Sequence, residues 1–223
     1  MPGRLLTELA LSIPAVQSRL MRRARILLIP AASIIFVGAW AAFQWWRSSQ
    51  PRNPLTARDG AELVVIDTRR PFELEPPPPG WRHRTFWLVR PMRLAFATID
   101  GVPALRCQTN GSGSIYGRHT DIELSRVPVL TWRWRVEVPV TSALDERTRE
   151  GDDHPVRFFL EFADSGDARH RMEIIWANRA FKRGDWKYIG GFAHYVADGG
   201  DENIGAWRDE EADLIELYRA FTK

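Results

Sequence analysis

The side chains best placed to do chemistry are arginines and glutamates that alternate with large apolar residues. In residues 130–137 a period of two puts Leu130, Trp132, Trp134 and Val136 on one face and Thr131, Arg133, Arg135 and Glu137 on the other. In 156–163 the same reading sends Val156, Phe158, Leu160 and Phe162 inward and Arg157, Phe159 and Glu161 outward. In 171–177 it sends Met172, Ile174 and Trp176 inward and Glu173 and Ile175 outward. Laid side by side, these strands are expected to form a charged sheet face carrying Arg133, Arg135, Arg157, Glu161 and Glu173. Guanidinium forks on such a face can grip a carboxylate or a sugar. The alternative is cross-strand ion pairing on a solvated sheet, worth about 0.2–1 kcal/mol per pair. Three arginines so close repel one another unless acids or a ligand intervene.

Other chemistry has thinner support. Glu161 and Glu173 are the two carboxylates that a glycoside hydrolase would need, but acids on neighbouring strands are common. Asp152 and Asp153 offer oxygen donors for a structural calcium, which needs six to eight; a turn ahead of Pro155 explains them equally well. The five histidines, His83, His119, His154, His170 and His194, show no metal-ligand spacing. The serines of Gly111-Ser112-Gly113-Ser114 lack the glycine-x-serine-x-glycine order of a nucleophile elbow. Trp186, beside Gly184, Asp185 and Tyr188, is the best candidate to stack on a sugar ring. Trp132 and Trp134 are expected in the core, where two indoles of about 150–250 Å² each contribute roughly 7–12 kcal/mol before entropy is subtracted.

The elements that position these residues follow from pattern and punctuation. The chain has 223 residues and a formal net charge of +3. Arg4, Arg19, Arg22, Arg23 and Arg25 stand against Glu8 alone in residues 1–41; taking these from 31 basic and 28 acidic residues leaves 26 and 27 from Ala42 onward. The basic balance therefore belongs to the N-terminus and gives no warrant for a nucleic-acid partner. Cys107 is the only cysteine, which excludes an internal disulfide and any metal site needing two thiolates. Residues 26–46 are uncharged, long enough as a helix to cross a bilayer, and flanked by arginines on the N-terminal side. They are expected to be a retained anchor with Trp45 and Trp46 at the outer interface, or a signal peptide cleaved after Ala39-Trp40-Ala41. Met21 followed by Arg22, Arg23 and Arg25 has the form of a signal peptide's own start.

The expected organisation is a basic stretch with that helix over 1–46, a polar linker over 47–60, and one β domain over 61–223. Strands are expected at 62–67, 85–89, 92–99, 102–108, 115–124, 130–137, 156–163, 171–177 and 187–197. Asp100-Gly101 marks a hairpin turn, Ser165, Gly166 and Asp167 another, and Gly190-Gly191 a bulge or close approach. Leu214, Leu217, Tyr218 and Phe221 have the spacing of an amphipathic helix preceded by acids. Eight or nine short strands and one late helix argue for an antiparallel β-sandwich of jelly-roll type, with residues 130–137 as its central strand.

Three segments in this order, P-V-L-T-W-R-W-R-V from Pro128, D-D-H-P-V-R-F-F-L-E-F from Asp152 and E-I-I-W-A-N from Glu173, resemble the bacterial domain-of-unknown-function 3047 family over about residues 80–221. The resemblance implies an exported protein with a jelly roll of the carbohydrate-binding kind, and no established activity. It also implies further strand sequence after the amphipathic segment, whereas this chain stops at Lys223: either the final strands are missing, which leaves an unpaired edge, or a shorter version tolerates an open one. Together these readings lead to an expectation: an envelope protein, periplasmic and either anchored or released, that binds a glycan or another envelope protein without turning it over. No cofactor is expected beyond the calcium candidate.

Overall fold

The structure, a computed structural model, describes residues 62–163 and 168–222 together with the backbone of two short strands nearer the N-terminus. The apolar helix expected at 26–46, most of the 47–60 linker and the turn at Ser165, Gly166 and Asp167 lie outside the described residues. Among the described residues no helix is long and apolar enough to cross a membrane.

The described elements are β1 Arg4–Leu5, β2 Leu55–Thr56, β3 Trp81–Arg84, β4 Arg93–Ile99, β5 Val102–Gln108, β6 Ile115–Arg118, β7 Thr120–Glu123, β8 Val129–Trp134, β9 Arg157–Ala163, β10 Arg169–Ala177, β11 Trp186–Ile189, β12 Phe192–Gly199, β13 Arg208–Asp213 and α1 Leu214–Phe221. The chain is thus mostly β. One seven-stranded sheet runs β11-β12-β10-β9-β1-β7-β2, and three two-stranded ribbons pair β13 with β8, β3 with β6 and β4 with β5. Pairing is largely antiparallel, but β12 lies parallel to β10 because the β11–β12 hairpin folds back beside it, and β2 is parallel to β7.

The alternation read from the sequence explains the core. Phe158, Leu160 and Phe162 of β9 and Met172, Ile174 and Trp176 of β10 share one face with Trp132 and Trp134 of the β8–β13 ribbon. The Trp134 ring meets Trp176 at 5.8 Å and Phe158 at 5.7 Å, and Trp132 meets Phe158 at 5.6 Å. The opposite face of β9 and β10 is buried too: Phe159, Glu161, Glu173, Ile175 and Ala177 are all covered. A sheet buried on both faces is what the near-continuous apolar runs 158–162 and 174–177 encode.

Several expectations are corrected. Residues 130–137 are not a central strand: β8 ends at Trp134 and pairs with β13, not with β9 or β10. Local periodicity gives a strand its faces but not its partner, and β13 lies 76 residues on. The acids 209–211 and 213, read as a helix lead, belong to β13 itself, where Asp209 sits opposite Arg133. The helix begins at Leu214, and Asp213 caps it by accepting from the Ile215 and Glu216 N–H groups at 2.8 and 3.0 Å. Residues 62–67 form no strand, and 85–89 form a turn that follows strand β3. Gly190 and Gly191, both at positive φ, make the β11–β12 hairpin turn. The Asp100-Gly101 hairpin forms as read, with φ of 50° and 78°.

Candidate functional site

The covered face of the large sheet carries a row of ionisable groups. Lys187 of β11 is opposite His194 of β12, His194 is opposite Glu173 of β10, and Glu173 is opposite Phe159 of β9. Registered residues point to the same side, so Lys187, His194 and Glu173 form one line, and Arg157 joins it diagonally from the start of β9. The loop between β8 and β9 comes down on this row with Asp152 and His154. None of the six side chains is more than 15% exposed.

The contacts join all six side chains but leave His154 Nδ1 and His194 Nε2 without a hydrogen-bond partner. The Lys187 ammonium donates to Asp152 Oδ1 at 2.5 Å, to the Glu146 carbonyl at 3.1 Å and to His154 Nε2 at 2.7 Å. An ammonium has donors only, so His154 Nε2 must accept; the ring is then neutral, with its proton on Nδ1. Arg157 donates to Glu173 Oε2 at 2.8 Å and to the Asp152 carbonyl at 2.7 Å. His194 donates from Nδ1 to the Phe192 carbonyl at 3.1 Å, and its Nε2 lies 3.5 Å from Asp152 Oδ2 and 3.4 Å from Glu173 Oε2.

Burial sets the sign of each titration, and the neighbours then reinforce or reverse it. For Asp152, burial pushes the carboxyl up, but the Lys187 ammonium, the neighbouring His194 ring and the charge of Arg157 outweigh it and hold the group well below the usual carboxylate range. Burial lowers His154, and the Lys187 and Arg157 charges help. His194 ends above its ordinary value, because Asp152 and Glu173 outweigh the effect of burial.

The loop above the row is built from its own side chains. Asp145 accepts from the Arg147 N–H at 2.9 Å through Oδ1, and Thr148 Oγ1 donates to the Asp145 carbonyl at 2.7 Å. Gly151 passes so close that a Cβ there would stand 2.2 Å from the Asp145 carbonyl oxygen. Glu146 is buried, and its Oε1 accepts from the N–H groups of Arg179 and Ala180, which ties the loop to the segment after β10. Beside this tie is a cavity of about 210 Å³ lined by Val140, Ser142, Leu144, Asp145, Glu146, Arg147, Asn178, Arg179 and Ala180. Two of its lining residues, Glu146 and Asn178, each carry a buried acceptor, Oε2 and Oδ1, with no hydrogen-bond partner in the protein.

The groups singled out in the sequence do not assemble as one groove. Arg133 makes a fork to Asp209 at 2.5 and 2.7 Å on the exposed side of the ribbon. Arg135 pairs with Asp100 and, at 2.8 Å, with Glu137. Glu161 is held by Arg169 and, at 2.8 Å, by Arg171, both missed in the sequence reading. Arg157 and Glu173 do meet, together with Asp152. Trp186 is half-buried and packs on Tyr195 at 5.3 Å at the edge of the core. Asp152 faces an ammonium and a guanidinium, and Asp153 is exposed; among the described residues no group of three or more His, Cys, Asp or Glu could hold a metal.

The family model described as a protein of unknown function, DUF3047, matches residues 79–223. The chain belongs to the DUF3047 family. No curated protein and no solved structure matches it. The DUF3047 region runs from just before β3 to the end of the chain, so every member of the buried row and every residue of the cavity lies inside it. Glu146, Lys187 and His194 were missed in sequence. For the last two a signal exists: each interrupts an apolar strand, as W-K-Y-I and F-A-H-Y-V, where a charge survives only with partners.

Proposed function

We propose that this chain is an exported envelope module that binds a neutral, multiply hydroxylated ligand of the glycan class in the cavity beside Glu146 and does not turn it over. In this reading its sandwich belongs to the carbohydrate-binding jelly-roll kind. The observation that carries the proposal is Glu146, a residue lining the cavity whose buried carboxylate leaves Oε2 unpartnered. A buried carboxylate oxygen without a donor is costly, and a ligand hydroxyl offsets that cost.

The rest of the lining fits the same class. Asp145 and Glu146 balance Arg147 and Arg179, so the wall has no net charge to favour an ion. Ser142 and Asn178 add polar groups, and Val140 and Leu144 supply apolar surface for the C–H side of a ring. Glu161 and Glu173 line neither this cavity nor the shallower trough of about 490 Å³ over Trp132 and Glu210. Each is already held by arginines, which supports binding over hydrolysis. A glycan array probed with the full chain tests the reading: retention of a glycan that is recovered unchanged supports it, and cleavage of the retained glycan contradicts it.

A further inference from the structure

Residues 86–89 close a β-turn in which the Val89 N–H donates to the Phe86 carbonyl at 3.2 Å. The two corner residues are Trp87 and Leu88, and they are 90% and 86% exposed, more than any other large apolar side chain described. Leu88 stands in the left-handed region at φ 66°, where a side chain other than Asn, Asp or Gly is strained. Asn-Gly would make such a corner without strain and without exposing apolar surface. This corner carries both penalties, and an apolar surrounding phase would remove the larger.

The setting of the tip is basic. Between residues 80 and 98 the chain holds Arg82, Arg84, Arg90 and Arg93 and no Asp or Glu. Arg84 lies over the Phe86 ring at 5.5 Å. Arg90 fixes the base of the turn: it donates to the Asn110 carbonyl at 3.0 Å, and its own carbonyl accepts from the Gly113 N–H at 2.8 Å. Glu75, an acid that reaches this strand, is hydrogen-bonded to His83.

We propose that this turn seats the domain on an anionic lipid surface, with Trp87 and Leu88 entering the head-group and acyl boundary and Arg84 and Arg90 meeting lipid phosphates. Indole rings favour that boundary, and arginines beside them gain from anionic lipid. A protein partner would need a pocket shaped to a projecting pair, because docking hot spots sit at the centre of a broad, packed patch. A fluid bilayer needs no such pocket, and the apolar part here is only two side chains wide. The inference goes beyond the cavity and does not depend on what the cavity holds.

The test uses the full chain in phosphatidylglycerol-rich vesicles. The variant Leu88→Cys in a Cys107→Ser background carries an environment-sensitive fluorophore, and Val138→Cys in the same background, at a residue 73% exposed, serves as reference. The expected result is quenching by aqueous iodide about fivefold weaker at position 88 than at 138, together with quenching by nitroxide lipid at 88 alone. Trp87→Ser should weaken the lipid quenching. Equal iodide quenching at both positions overturns the proposal. So does protection of position 88 without nitroxide quenching, which would mean that a protein segment or a second copy covers the tip.

Discussion

Lys187 Nζ lies 2.7 Å from His154 Nε2 and 2.5 Å from Asp152 Oδ1, so one buried ammonium joins the loop before β9 to the edge of the large sheet. From beneath, the loop that walls the cavity is held by this side chain together with Arg157, which donates to the Asp152 carbonyl at 2.7 Å.

Lys187→Met should therefore destabilise the fold strongly. It leaves Asp152 without its closest cation and the Glu146 carbonyl without a donor, and breaking one side of a buried pair costs about 3–5 kcal/mol. Urea denaturation of the variant and the parent measures this. A change below about 1 kcal/mol, the size of a surface pair, would mean that the ammonium is not bonded as described.

The histidines give stability two opposite pH dependences. His194 is raised in the folded state, so its contribution is complete below the unfolded value of about 6.5 and is lost as pH rises through the folded value. His154 is lowered and Asp152 is depressed, so their contributions are lost as pH falls. His194→Asn removes the titrating ring, and its denaturation midpoint should stay flat above pH 6.5, where the parent's declines. Parallel profiles for parent and variant would count against the raised value.

Gly151→Ala puts a methyl group where the Asp145 carbonyl already stands. The 145–151 loop must open, so hydrogen exchange at the Thr148 and Gly151 amides should speed by at least about tenfold, equivalent to 1.4 kcal/mol of local opening. Unchanged exchange would show that the two backbones are not in contact.

Trp134→Ala removes the ring that contacts both Phe158 and Trp176. The expected loss is about 3–5 kcal/mol, read from the urea midpoint. A loss under about 1 kcal/mol would place the ring outside the core.

What could be read from sequence, and what could not, divides along a physical line. The faces of β9 and β10, the Asp100-Gly101 hairpin and the stripe Leu214, Leu217, Tyr218 and Phe221 are local properties, written in period and turn chemistry. Pairing is not local: nothing near Arg133 says that Asp209 lies opposite, so a strand of acids looked like a helix lead. The buried row was half-visible. Arg157 and Glu173 stood out as outward charges, but an outward face was taken to be a wet one. The loop that covers it, with Asp152, His154 and Glu146, is charged and reads as solvated until Lys187 is seen beneath it. Trp186 misled in the other direction, because a tryptophan near a turn looks available until Tyr195 and Phe221 are found packed on it.

The cavity reading stands or falls on one comparison. A glycan retained on the array should be titrated by calorimetry against the full chain, against Glu146→Gln and against Arg133→Ala. Gln keeps the bonds from the Arg179 and Ala180 N–H groups but removes the charge from Oε2. Binding to Glu146→Gln should fall at least about tenfold, the equivalent of one lost charged hydrogen bond, while Arg133→Ala binds as the parent does. Unchanged affinity in Glu146→Gln, with loss in Arg133→Ala, would contradict the account and return the site to the arginine face of the ribbon.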